Sequence, residues 1–184
     1  MSGQRGISFF ITGGTIDSRS SRELDGKIVP CKISLVRKYL EGRNFSFRTR
    51  IHEICLKDSR DITDEDRHAL LQAIADGEDR HNVVIHGTFT LPQTARFLLE
   101  HQTAIRDKVI ALTGAETILM GAYNEIGEFE ASDGPLNIGI SIQGAFNADN
   151  GIYIAMNGGM FKQPDEPWYH DEKTGAIHYE KKYD

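Results

Sequence analysis

Short apolar runs alternate with longer amphipathic stretches along most of the 184-residue chain, and this rhythm limits the folds available more than any other feature. "ISFFIT" (7–12), "FSFRTRIHEI" (45–54), "NVVIH" (82–86), "KVIALT" (108–113) and "GIYIAM" (151–156) read as strands. Their alternation with helical patterns is the signature of a largely parallel sheet covered on both faces. Between them lie four helical patterns. The first, around 33–42, puts Ile33, Val36, Tyr39 and Leu40 on one face and can stop at Gly42. The second opens at Thr63, with Asp66 three residues on and Leu70, Leu71 and Ile74 as its buried stripe. The third begins near Pro92, and the fourth spans 134–148. Strand and helix in alternation predict an α/β fold: one three-layer domain with a mostly parallel sheet.

In such a sheet the loops leaving the carboxyl ends of the strands line the ligand crevice. Function is therefore expected at five places. "TGGTI" follows the first strand, where Gly13 and Gly14 let the backbone approach a ligand and Thr15 offers a hydroxyl. Taken alone, this is a tight turn or a nucleophile loop. "HGTFT" (86–90) again sets a threonine beside a glycine at a strand end, and His86 by itself reads as a core histidine bonded to backbone. In "KDSRDIT" (57–63), Ser59 and Arg60 are suited to holding a carboxylate, unless the stretch is a solvated loop with a helix cap. The Gly114-Ala115 backbone in "LTGAE" can turn an N–H toward developing negative charge, and "ASDGPLN" (131–137) opens the fourth helix, with an N-cap as the alternative reading.

The formal charge of −6, without a Lys/Arg cluster, argues against a nucleic-acid partner. No G-x-G-x-x-G or Walker pattern appears. Cys31 and Cys55 are the two cysteines; they lack metal-knuckle spacing, and no metal or organic cofactor is expected. The apolar run at the N-terminus is too short for a signal peptide or a membrane span, so the expected location is the cytoplasm.

Jointly, "TGGTI", "DSRDIT", "HGTFT", "TGA" and "SDGPLN" resemble the N-terminal domain of the bacterial-type L-asparaginases, in the family's order and at similar separations over roughly residues 7–160. The resemblance implies an amidohydrolase that converts L-asparagine to L-aspartate and ammonia. Thr15 falls on the nucleophile and Thr88 on the second threonine, which works with a lysine and an aspartate. Ser59 falls on the residue that binds the substrate α-carboxylate, and the Ala115 N–H on an oxyanion donor, with Gly14 and Gly87 beside them.

The chain departs from the family pattern at several positions. Phe89 stands where the family has the aspartate that meets the substrate ammonium, and an acid between Glu116 and Glu130 is the expected replacement. The first loop has no tyrosine; Lys27 or Ile28 stands near that position, and Tyr123 in the second loop can substitute only if that loop folds over the site. For the lysine, Lys162 is favoured over Lys173. Arg60 replaces a small or amide side chain and is expected to strengthen the grip on a carboxylate. The division expected is a domain over 1–160, a tail over 161–184 that packs on it or on a partner subunit through Trp168, Tyr169 and Tyr179, and no second domain; a homodimer or higher homo-oligomer is expected. Two other readings stay open: hydrolysis of an amide lacking a free α-ammonium, and an amino-acid-binding protein without catalysis.

Overall fold

The computed structural model describes residues 5–20, 27–123, 129–163, 168–171, 173 and 177–179. Positions 21–26 of the first loop and 124–128 of the second, both in segments expected to serve the site, lie outside them.

Six strands form the central sheet: β1 (Gly6–Gly13), β4 (Arg48–Lys57), β5 (His81–Ile85), β6 (Val109–Thr113), β9 (Gly151–Met156) and β10 (Gly159–Lys162). Their order is β10-β9-β6-β5-β1-β4, parallel throughout except for β10, which runs antiparallel to β9. Small two-stranded ribbons decorate it: β2 (Ser18–Ser20) with β3 (Ile28–Pro30), β7 (Ala122–Tyr123) with β8 (Phe129–Glu130), and β11 (Trp168–His170) with β12 (Ile177–Tyr179).

The alternation of side chains along each strand builds two cores. On one face Phe9, Ile11, Val83, Ile85 and Ala111 pack with Val36 and Leu40 of α1 (Leu35–Glu41) and with Ile138 and Ala145 of α4 (Gly134–Asn147). On the other, Phe10, Val84, Ile110 and Leu112 pack with Leu70 and Ile74 of α2 (Asp64–Asp76) and with Leu91, Ala95 and Leu98 of α3 (Leu91–Glu100). These are the three layers expected. Ile177 of β12 is fully buried in the second core, so part of the tail lies on the domain.

Local signals explain the helix ends. Thr63 and Asp66 form a reciprocal capping box at the start of α2, and Pro92 enters α3 in its first turn. At α1, Ser34 accepts from the Arg37 N–H, and the buried Asp17 carboxylate, arriving from the β1 loop, accepts from the Leu35 and Val36 N–H groups (2.5 and 3.2 Å). This ties the first loop to the start of the first helix. Ile33, expected on the buried face of α1, precedes the helix and is exposed. At the amino end of the sheet Asp79 is buried between Arg48, Arg50 and Ser8 (2.6 to 2.8 Å). Burial pushes its carboxyl up, but these partners outweigh it and leave it below the ordinary range.

Among the described residues no helix is long and apolar enough to cross a membrane, and no group of three His, Cys, Asp or Glu side chains is placed to hold a metal ion.

Candidate active site

The chain crosses from β4, on one side of β1, to β5, on the other, so the direction of winding reverses between β1 and β5. Loops diverge at such a point and leave a crevice beyond the carboxyl ends of the strands. A cavity of about 260 Å3 lies there, lined by Gly14 and Thr15 after β1, by Asp58, Ser59 and Arg60 after β4, by Phe89 after β5 and by Glu116 after β6; Ser18, Ile28 and Pro30 complete it.

The loops are held together by direct backbone contact. Gly14 has φ +91°, and a Cβ there would collide with the backbone of Gly87. One on Gly87 would meet the Ser59 Cβ and Oγ at 2.7 Å. Further bonds fix this junction: the Gly14 N–H to the Lys57 carbonyl (2.8 Å), Ser18 Oγ to the Gly14 carbonyl (2.8 Å) and Thr90 Oγ1 to the Ser59 carbonyl (2.6 Å).

Most of the threonines at these strand ends are committed to structure. Thr12 donates to the Ile85 carbonyl (2.9 Å), Thr113 to the Ala155 carbonyl (2.7 Å), and Thr90 to Ser59 as above. The Thr15 and Thr88 hydroxyls make no hydrogen bond among the described residues, and of the two only Thr15, which is half-buried, lines the cavity. Thr88 is buried, with its methyl against Gly114, and lies behind the lining rather than in it.

His86 is fully buried and joins the turn after β5 to helix α3. Its Nδ1 lies 2.8 Å from the Gly87 carbonyl, which can only accept, so Nδ1 carries the proton. Nε2 therefore accepts from Thr94 Oγ1 (2.9 Å), which in turn accepts from Arg67 Nε (3.2 Å). Burial pulls the ring down to about 4, and it is neutral near pH 7.

Beyond β6, Asn137 of α4 donates to the Gly114 carbonyl (3.0 Å) and accepts from the Asn157 N–H (2.9 Å). Asp133 makes no side-chain cap for α4. Its carboxylate accepts from the N–H groups of Glu116 and Thr117 and from Asn137 Nδ2 instead. The segment "SDGPLN" thus holds the turn after β6 in place. Ala115, in that turn, is buried and outside the lining, and its N–H has no acceptor among the described residues.

Two expectations change. Arg60 was expected to grip a substrate carboxylate, but it makes a two-point bond to Asp58 (Nε–Oδ1 2.9 Å, Nη2–Oδ2 2.6 Å) and stacks over the Phe89 ring at 4.7 Å. The bond to Arg60, above all, holds the Asp58 carboxyl below its ordinary range. Lys162 is not brought to the cavity. Asn157 and Gly158, with φ +50° and +91°, reverse the chain after β9, so β10 runs back toward the amino end of the sheet. There Lys162 lies against Gly151, with Nζ 5.9 Å from the Tyr153 ring, at the end of the sheet opposite the cavity. Lys173 is exposed, and its N–H bonds the Asp171 carboxylate. No lysine lines the cavity among the described residues.

Asp58, Ser18 and Pro30 line the cavity without having been singled out from the sequence. Asp58 carried a signal, since Asp-x-Arg at this spacing can close on itself.

Residues 6–166 match the family model described as asparaginase, N-terminal. The chain belongs to the asparaginase family. Solved structures with the same fold include L-asparaginase I from Vibrio cholerae O1 biovar eltor str. N16961, 21% identical with a TM-score of 0.70 over 96% of this chain and 52% of that one. The thermostable L-asparaginase from Thermococcus kodakarensis is 20% identical, with a TM-score of 0.61 over 97% of this chain and 57% of that one. The probable cytoplasmic L-asparaginase from Campylobacter jejuni is 22% identical, with a TM-score of 0.60 over 86% of this chain and 46% of that one. This asparaginase-family chain therefore spans about half the length of those enzymes. No curated protein matches it in sequence.

Proposed function

We propose that this chain is an asparaginase-like amidohydrolase that hydrolyses the side-chain amide of L-asparagine through Thr15. The observation that carries the reading is the contrast among the strand-end threonines. Thr12, Thr90 and Thr113 donate to neighbouring carbonyls, and Thr88 lies outside the lining, whereas Thr15, whose hydroxyl makes no hydrogen bond among the described residues, lines the cavity where the sheet reverses its winding.

In the proposed reaction Thr15 Oγ attacks the amide carbon, the carbon–nitrogen bond breaks, and the hydroxyl proton leaves with the amine as ammonia. Water then cleaves the ester, releasing aspartate and restoring Thr15. The Ala115 N–H supports the oxyanion, in a turn kept from moving by Asn137 and Asp133. Ser59 contributes to carboxylate binding, while Thr88 supports the turn carrying the oxyanion donor. Gly14 and Gly87 set the spacing, and Phe89 with Arg60 forms a wall. Lys162 has no part in this scheme.

One observation favours a second reading. The Phe89 ring, capped by the Arg60 guanidinium, offers no acceptor to an ammonium, which suits an amide that lacks one. Ammonia release from L-asparagine, L-glutamine and their deamino analogues, with Thr15→Ala beside the parent chain, separates the two readings. Loss of release in that variant supports the nucleophile, and unchanged release removes it. Tight aspartate binding without turnover in the parent assigns a binding protein instead.

A further inference from the structure

Resting on the reading of the cavity as an amino-acid amide site, we propose that Glu116 is the specificity residue that holds the substrate ammonium. The two flanks of the cavity differ in charge. On the β4 side, Asp58 and Arg60 neutralise each other through their two-point bond, and Arg60 already occupies the face of Phe89. An ammonium placed there meets the Arg60 guanidinium, whose like charge opposes it. On the β6 side, Glu116 lines the same cavity as Thr15, and its carboxylate forms no hydrogen bond or ion pair among the described residues. The uncompensated charge of the described lining is therefore negative and lies on this flank.

Glu116 is also anchored. Its N–H is held by both oxygens of Asp133 (3.2 Å each), and Asp133 takes a further bond from Asn137 Nδ2 (2.9 Å). Asp133 has those donors of its own, so the carboxylate left to meet an incoming cation is that of Glu116. Because Thr15, Ser59 and Glu116 line one cavity, a bound amino-acid amide can turn its carboxylate toward Ser59, its ammonium toward Glu116 and its side-chain amide toward Thr15. The acid that compensates for Phe89 then arrives from the next loop of the same chain.

Calorimetric binding of L-aspartate and succinate tests this without requiring turnover, because the two share their carboxylates and differ in the ammonium. The parent chain is expected to bind aspartate about tenfold or more tightly than succinate. Glu116→Gln should weaken aspartate by about the same factor and leave succinate within about twofold, with Glu116→Asp retaining part of the preference. Glu116 is exposed, so circular dichroism should show an unchanged fold. Equal binding of the two ligands by the parent, binding of neither, or a preference that survives Glu116→Gln overturns the proposal. An ammonium preference dependent on Glu116 in a chain that releases no ammonia upholds it while rejecting hydrolysis.

Discussion

Gly14 and Gly87 touch backbone to backbone where the sheet reverses its winding, and no side chain fits between them. The contact sets the distance between the loop carrying Thr15 and the loop carrying Thr88. Gly14→Ala forces a Cβ into Gly87 and strains a residue at φ +91°. It should cost on the order of 3 kcal/mol in denaturant unfolding and disable ligand binding together with it. A variant as stable as the parent would show that the loops can part without loss.

Asn137 joins three segments, the turn after β6, helix α4 and the end of β9. Asn137→Ala leaves the buried Gly114 carbonyl and the Asn157 N–H without their side-chain partner. A loss of roughly 2 kcal/mol is expected, with a fall in turnover larger than any rise in KM, because the Ala115 N–H loses its support. An unchanged melting temperature would contradict this role.

His86 is neutral, with its proton on Nδ1, and the fold disfavours the charged ring. As pH falls below the ordinary histidine value of 6.5, unfolded chains take up a proton that the folded ring refuses until about 4. Stability should therefore drop across that window, by up to about 3 kcal/mol in total, and be indifferent to this group above pH 7. Nitrogen NMR of the ring should show Nδ1 protonated and Nε2 bare throughout. A ring titrating near 6.5 in the folded protein would contradict the buried assignment.

Much of the architecture was legible because it rests on hydrophobic pattern. The strand 151–156 was read with its observed limits, and Thr63 with Asp66 marked the start of α2. What the pattern could not show were partnerships made across loops. Asp133 reads as a helix cap in sequence, yet its carboxylate serves the Glu116 turn, sixteen to seventeen residues away. Arg60 reads as free until its closure on Asp58 and Phe89 is seen. Lys162 was misplaced although a signal existed, since Asn157-Gly158 between apolar residues is a strong hairpin sequence and a hairpin sends Lys162 back to the amino end. The alternation of Thr12, Thr15, Thr88 and Thr90 between structural and available hydroxyls depends on register and could not be read from composition.

The central claim is that the Thr15 hydroxyl becomes an ester during turnover. Acid quenching of the chain during reaction with L-asparagine, followed by peptide mass mapping, tests it most directly. The account predicts an aspartyl adduct on the peptide containing Thr15, absent from Thr15→Ala. Asparagine hydrolysis that proceeds equally well in Thr15→Ala, or an adduct found on another residue, would contradict it.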